Sequence, residues 1–164
     1  MKKTYISMLA SAALLVGCGG SADTTTWTVS NLNVVSDGCE LNDPMDPLAG
    51  LFDITIDGST VTFAHTTLEI EGTSTTFSEQ DNEVIATNSR EDSTSAAPCT
   101  AKLDDAFTIS VTDEDRRLEN NSELQVSWNH QESDVSSTPG ACGGNVWFVD
   151  LPCTSVLTFT LTKN

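Results

Sequence analysis

The chain has 164 residues and carries 24 acidic residues against seven lysines and arginines, for a net charge of −17. A surface this acidic repels the phosphates of nucleic acids and of anionic lipids, which excludes a nucleic-acid-binding function. The length suits a single domain with a hydrophobic core of its own.

The first 17 residues have the layout of a secretory signal peptide. Two lysines, Lys2 and Lys3, precede an apolar run over residues 5–16 that ends at the small residue Gly17. This order is typical of exported proteins. The apolar run is about twelve residues long, and a membrane-spanning helix needs about twenty. We therefore expect residues 1–17 to be removed on export.

The end of this leader carries a more specific motif. Leu15, Val16, Gly17 and Cys18 resemble the lipobox of bacterial lipoprotein precursors, and the resemblance covers the leader alone. It implies that the thiol of Cys18 receives a diacylglyceryl group and that cleavage occurs just before this residue. Each buried methylene contributes about 0.8 kcal/mol, so two or more acyl chains anchor a protein stably. An ordinary leader with an incidental cysteine is the alternative.

Residues 18–26 are expected to form the lipidated N-terminus and a flexible tether, because they are small and polar. Gly19 follows the lipobox cysteine, where an aspartate would favour the inner membrane of enteric bacteria. The resemblance therefore implies an outer-membrane or cell-surface location. After cleavage five basic residues remain against 24 acidic ones, a net charge of −19.

Residues 27–164 predict a single all-β domain. Short runs rich in Thr, Val, Ile and Phe alternate between apolar and polar positions, as in antiparallel strands with one buried face. Asp57 and Gly58 give a tight hairpin signal. The predicted strands are residues 27–35, 51–57, 60–65, 67–72 (or on to 77), 83–87, 106–113, 122–130 and 155–162.

About eight strands fit an up-and-down barrel of lipocalin-like or avidin-like shape, which we favour, or a two-sheet β-sandwich. In a barrel, alternate links lie at the pole away from the N-terminus, called the far pole below. These links are residues 36–50, the bend near 66, 88–105 and 131–154, and they contain all five prolines and every cysteine after residue 18.

Setting Cys18 aside leaves four cysteines, and an even number in an exported chain indicates two disulfides. Strand order in a barrel favours Cys39 with Cys153 and Cys99 with Cys142. A pairing of Cys142 with Cys153 and of Cys39 with Cys99 stays open. Neither CxxC spacing nor nearby histidines suggest a zinc site, so we expect no metal.

Catalysis has few candidate residues in this chain. The mature sequence has no tyrosine and contains none of the nucleophile-elbow, zinc-protease or phosphate-binding motifs. Cys142 served by His130 is conceivable as a nucleophile, but half of a disulfide is the interpretation that export favours. We expect neither enzyme activity nor a cofactor.

Four side chains are candidates for ligand binding. Strand alternation predicts that His65 and His130 point inward, and both lie at the far pole, where two imidazoles suit a metal or an anion. The alternative is that each is satisfied by a backbone partner. Trp147 and Phe148 lie in a dense apolar run and suit a lid, an exposed binding patch, a ninth strand or plain core packing.

These features predict a membrane-anchored, exported, non-catalytic β domain that binds a small ligand or another molecule. Two alternatives are an acidic protein-binding module, such as an inhibitor or adhesin for a basic protein, and a structural envelope lipoprotein. An interior ligand site requires a cavity of a few hundred cubic ångströms. A core filled around Trp27 and Trp128 argues against that site.

Overall fold

The computed structural model of the protein has eight strands. It describes residues 22–41, 50–67, 70–78, 82–94, 99–111, 118–138, 140–142 and 150–164. The strands are β1 (Asp23–Asp37), β2 (Leu51–Asp57), β3 (Thr60–His65), β4 (Glu71–Ser74), β5 (Glu83–Ser93), β6 (Thr100–Val111), β7 (Glu123–Asp134) and β8 (Cys153–Lys163). The described residues also contain one 3₁₀ turn, Leu118–Asn120, and no helix that is long and apolar enough to cross a membrane.

The strands close into one antiparallel up-and-down barrel. Each strand pairs with its neighbours in sequence, and β8 pairs with β1 to complete the ring. The all-β class and the barrel are therefore confirmed, and the sandwich is excluded. The turn between β2 and β3 contains Gly58 with φ of 59°, a left-handed conformation that suits glycine.

The barrel has two unequal halves, which we call the near half and the far half. The near half contains the start of β1, where β1 pairs with β2 from Asp23 to Thr28. Beyond Thr28, β1 continues to Asp37 paired with β8, and the Val29 amide also donates to the Gly50 carbonyl oxygen at 3.2 Å. In the described part of the chain, the far half is therefore a sheet in the order β5-β6-β7-β8-β1, since β2, β3 and β4 are too short to reach it.

Aromatic side chains fill the near half. Phe52 stacks on Phe63 with ring centroids 4.4 Å apart, and Phe63 meets Phe107 at 4.8 Å. Phe107 in turn stacks on Trp128 at 5.7 Å. An eight-stranded barrel is just wide enough to be filled by side chains or to hold one small ligand, and here side chains fill it. Other large buried residues are Trp27, Ile54, Ile109, Leu124, Leu157, Phe159 and Leu161.

A glycine in β4 makes this packing possible. A Cβ atom on Gly72 would lie 2.8 Å from the ring of Phe107 and 2.9 Å from the carbonyl oxygen of Ala86. Both distances are shorter than van der Waals contact allows. Gly72 therefore lets β4 approach the aromatic core closely.

Two strands depart from their predicted positions. β1 begins at Asp23, so residues 23–26 are strand and not flexible tether; their β-branched threonines pair with β2, and Thr24 and Thr55 share a hydrogen bond of 2.9 Å. β4 is Glu71–Ser74 and not 67–72, because the chain turns between β3 and β4 where the His65 amide donates to the Ile70 carbonyl oxygen.

The strands β5, β6 and β7 extend further into the far half than predicted. β5 and β6 pair without interruption from Glu83 opposite Ser110 to Ser93 opposite Thr100. Apolar alternation is interrupted within these segments, since inward positions there carry Arg90 and Asp105 beside the buried Leu103 and Ala101. Polar contacts across the sheet therefore supplement apolar burial in this half.

Candidate functional site

Two disulfides lie in the far half. Cys39 is bonded to Cys153, which joins the residues after β1 to the start of β8. Cys99 is bonded to Cys142, which joins the start of β6 to the connection between β7 and β8. Around the second bond is a small apolar cluster that includes Ala101 and is separate from the aromatic core. The far half therefore has covalent links where the near half has a continuous core.

A buried ionic network lies between these two regions. The carboxylate of Asp105, only 3 % exposed, accepts hydrogen bonds from Trp128 Nε1 at 2.8 Å and His130 Nδ1 at 2.7 Å. Its second oxygen accepts from the guanidinium of Arg90 at 3.2 Å. The other ring nitrogen of His130 donates to Glu132 at 2.9 Å. Two cations and two carboxylates thus compensate one another.

His130 is held in its charged form by this network. Burial favours the neutral imidazole, but the hydrogen bonds to Asp105 and Glu132 outweigh it and raise the pKa of His130 to about 9. With both nitrogens protonated, the ring has no lone pair for a metal ion. Two carboxylates already surround it, which also disfavours an anionic ligand.

His65 has different surroundings. It is buried at the end of β3, its ring meets Phe52 edge-on with centroids 4.8 Å apart, and its Nδ1 accepts from the Thr67 amide at 3.2 Å. Both histidines therefore lie toward the ends of their strands that face the far half, but each contacts different residues. The predicted shared metal or anion site is not supported, because His130 is committed to Asp105 and Glu132.

Among the described residues, one cluster has the spacing of metal ligands. It consists of Cys39, Glu132 and Cys153, whose potential ligand atoms lie within 4.8 Å of one another. Both cysteines are consumed in the disulfide, so neither offers a thiolate. The other predicted site residues, Cys18, Trp147 and Phe148, lie outside the described residues.

Two cavities lie against the β4–β5 seam, the boundary between Glu71–Ser74 and Glu83–Ser93. The larger measures about 560 Å³ and the smaller about 230 Å³. Among the described residues, these two strands have one registered pair, Thr73 opposite Thr87. The larger cavity, called the outer groove below, is lined by Thr73, Thr87, Asn88, Ser89, Asp104, Asp105, Ala106, Asn129 and Gln131.

The outer groove follows from the register of four strands. Thr73, Thr87, Ala106 and Asn129 form one row across β4, β5, β6 and β7. The side chain of Ala106 is a single methyl group between longer neighbours, which leaves a depression. Asp104 lies in the next row, where Lys102 donates to it at 2.8 Å. That hydrogen bond and one from Ser89 lower the pKa of Asp104. The groove is therefore a polar surface feature on the outside of the barrel.

Charge is distributed unevenly around the barrel. Residues 22–89, which include β1 to β4, contain twelve acidic residues and neither lysine nor arginine. Residues 90–164 contain twelve acidic residues and five basic ones, two of which, Arg90 and Lys102, are paired with carboxylates. Residues 22–89, called the acidic sector below, therefore contribute negative charge without a lysine or arginine of their own, and Lys163 of β8 lies over the ring of Trp27 on β1.

Sequence reasoning missed Asp105 and Arg90. Both occupy positions that the alternation of their strands directs into the barrel. Asp105 comes two residues before Phe107 in β6, and Arg90 comes four residues after Ala86 in β5. When each of two adjacent strands has a charged residue at a position that points into the barrel, the two residues are candidates for an ion pair. This signal could have identified the pair of Arg90 and Asp105.

Comparison with known proteins found no matching family model, no matching curated protein and no matching solved structure. The fold and the geometry of the far half are therefore the basis for any functional conclusion.

Proposed function

We propose that this protein is an exported lipoprotein, anchored through Cys18 at the outer membrane or cell surface, whose barrel is a non-catalytic, acidic protein-binding module. The observation that carries the proposal is the charge of residues 22–89, twelve acidic residues without a lysine or arginine. Its binding partner is a basic protein.

The packed interior supports a partner on the outside of the barrel. Trp27 is 1 % exposed and Trp128 is 4 % exposed, and both belong to the apolar core. A lipocalin-like or avidin-like binder needs an interior cavity of a few hundred cubic ångströms. The described cavities instead lie beside the β4–β5 seam; mostly polar residues line the larger one, and Phe77, Val84 and Ile85 are among those that line the smaller one.

The charge pattern supports a basic partner. Exposed carboxylates on β1, β2 and β4 include Asp23, Asp57 and Glu71. A surface of one sign accelerates association with an oppositely charged protein and rejects like-charged ones. Such attraction is screened within about 8 Å at physiological ionic strength, so binding depends on salt.

The proposed anchor gives the barrel an orientation. β1 begins at Asp23, five residues after Cys18, and a chain of that length spans at most about 18 Å. A lipid on Cys18 would hold the near half beside the membrane. The far half, with its disulfides and the end of β5, would then point toward a partner.

Binding to polylysine tests the function. We expect the protein without residues 1–17 to bind fluorescent polylysine. Its affinity should fall at least tenfold between about 50 and 300 mM salt, a decrease of the size expected for screened charges. Polyglutamate is the control and should not bind. Absence of polylysine binding, or affinity unchanged by salt, contradicts the proposal.

A matched pair of variants locates the binding sector. Neutralising Asp57→Asn with Glu71→Gln should weaken polylysine binding more than Glu123→Gln with Asp150→Asn, since both pairs remove two exposed charges but only the first lies in the acidic sector. Equal losses would indicate that net charge alone drives binding.

The mass of the native protein tests the anchor. Mass spectrometry should find the chain starting at Cys18 with acyl groups attached. A mature mass without acyl groups would remove the membrane claim while leaving the binding module intact.

A further inference from the structure

The β4–β5 seam leaves part of β5 without a neighbouring strand among the described residues. Thr73 opposite Thr87 is the registered pair, and β4 begins two residues before Thr73. β5 continues six residues past Thr87, to Ser93. Its last four residues, 90–93, therefore lie beyond the first residue of β4.

The opposite side of β5 is fully paired. Its residues are matched with β6 along their whole length, up to Ser93 opposite Thr100. A hydrogen bond of 3.0 Å between the hydroxyls of these two residues adds to that pairing. Within the described ranges, the end of β5 is thus an edge paired on one side, and such an edge is a template for pairing with another chain.

Acidic side chains border this edge. Glu91 and Asp92 are exposed on the extension of β5, and Glu71 is exposed at the start of β4. The intervening Arg90 donates to the buried carboxylate of Asp105, so its charge is already compensated. Like charges on two copies of this edge repel, which opposes self-association. The same charges attract an edge that carries lysine or arginine.

The outer groove provides space beside this edge for side chains. It reaches the seam at Thr87 and Ser89 and extends to Asp104 on β6. In strand addition, main-chain hydrogen bonds supply affinity while pockets receive alternate side chains. A lysine on the added strand would meet hydroxyls and carboxylates in this groove.

We infer that β5 from Arg90 to Ser93 is a docking edge onto which an extended, lysine- or arginine-rich segment of the partner protein adds as a further β-strand. The inference rests on the proposed function and places the extended partner segment where the acidic sector ends, between exposed Glu71 of β4 and exposed Glu91 and Asp92 of β5. Three adjacent features support this inference: a strand edge paired on one side among the described residues, exposed carboxylates along it, and a polar groove beside it.

Backbone methylation of a peptide tests the strand geometry. The probe is an eight-residue peptide of alternating lysine and threonine, compared with two versions N-methylated at odd or at even positions. All three keep the same charge, but each methylated version lacks the amide donors on one side. We expect the unmethylated peptide to bind and one methylated version to lose at least tenfold in affinity, as expected for several lost main-chain hydrogen bonds.

Two protein variants test the location. Glu91→Gln with Asp92→Asn neutralises the edge, and Glu123→Gln with Asp150→Asn is the matched control on other exposed positions. The edge variant should bind the peptide at least threefold more weakly than the control. A loss of roughly this size is typical of two exposed charge contacts. Circular dichroism should show both variants folded.

The outcomes separate the two proposals. Equal binding of all three peptides overturns strand addition and leaves a basic partner in place. Equal binding by the edge variant and the control overturns the assignment to β5. Binding of polylysine without binding of the short peptide also overturns strand addition, whereas failure to bind either one overturns the proposed function itself.

Discussion

The near and far halves of this barrel are stabilised by different means. In the near half the strands close around stacked rings, with Phe52 and Phe63 at its centre. In the far half an open five-stranded sheet is held by two disulfides and by the buried carboxylate of Asp105. The difference shows that covalent and ionic contacts can extend a sheet beyond the point where its apolar core ends. As far as the described residues show, it also leaves the end of β5 with a strand partner on one side, which a uniformly closed barrel would not.

Removing the disulfides should have the largest effect on stability. Cys39–Cys153 closes a separation of 114 residues and Cys99–Cys142 one of 43 residues. The chain-entropy relation gives roughly 5 kcal/mol for the first and roughly 4 kcal/mol for the second. Double alanine variants of each pair should show that order in urea unfolding. A larger loss from the Cys99–Cys142 variant would indicate that local packing outweighs loop closure.

Truncating the aromatic core should come next. Phe63→Ala opens a cavity where the ring is fully buried, with an expected loss of about 3–5 kcal/mol in unfolding free energy. Leu103→Ala in the small far cluster is the comparison, with an expected loss of about 2 kcal/mol, since its site is less enclosed. Equal losses in urea unfolding would contradict the claim that the near half carries the apolar stability.

Stability should fall at alkaline pH because of His130. Its pKa is about 9 in the folded protein and ordinarily 6.5, so its contribution to stability is complete below pH 6.5 and disappears as pH rises through 9. At 1.36 kcal/mol for each pKa unit, the loss is about 3 kcal/mol. His130→Gln should flatten the dependence between pH 7 and 9. An unchanged slope in that variant would remove His130 as the cause.

The smallest expected effect concerns the start of β1. Thr24→Val removes the hydroxyl hydrogen bond to Thr55 and should cost about 0.2–1 kcal/mol, as cross-strand pairs do. Thermal unfolding should be compared with that of Thr162→Val, which changes an exposed threonine of β8 that makes no side-chain hydrogen bond to the described residues. No change at Thr24 would mean that residues 23–26 behave as the tether that the sequence suggested.

Much of the near half could be predicted from the sequence. The bounds of β2 and β3 match the prediction, because alternation is strict there and the Asp57-Gly58 turn marks their boundary. In the far half, strand order in a barrel favoured Cys39 with Cys153, which is the bond in the structure. These features depend on local pattern and on topology, both of which the sequence carries.

The far half was harder to predict for a physical reason. Several of its inward positions are polar or charged, so apolar alternation is interrupted at Arg90 in β5 and at Asp105 in β6. The inward direction of His130 was predicted, but its charge partner depends on the register that sets Asp105 opposite it. The one-sided edge of β5 depends on the relative lengths of two neighbouring strands, and such a difference appears only when the sheet is assembled.

Hydrogen exchange tests the central claim, that the near half provides stability and the end of β5 provides binding. Amides should be compared with and without the lysine–threonine peptide. The account predicts new protection at residues 90–93 and unchanged, strong protection around Phe107 in β6. Protection that appears elsewhere, or none at residues 90–93 when the peptide is bound, would contradict it.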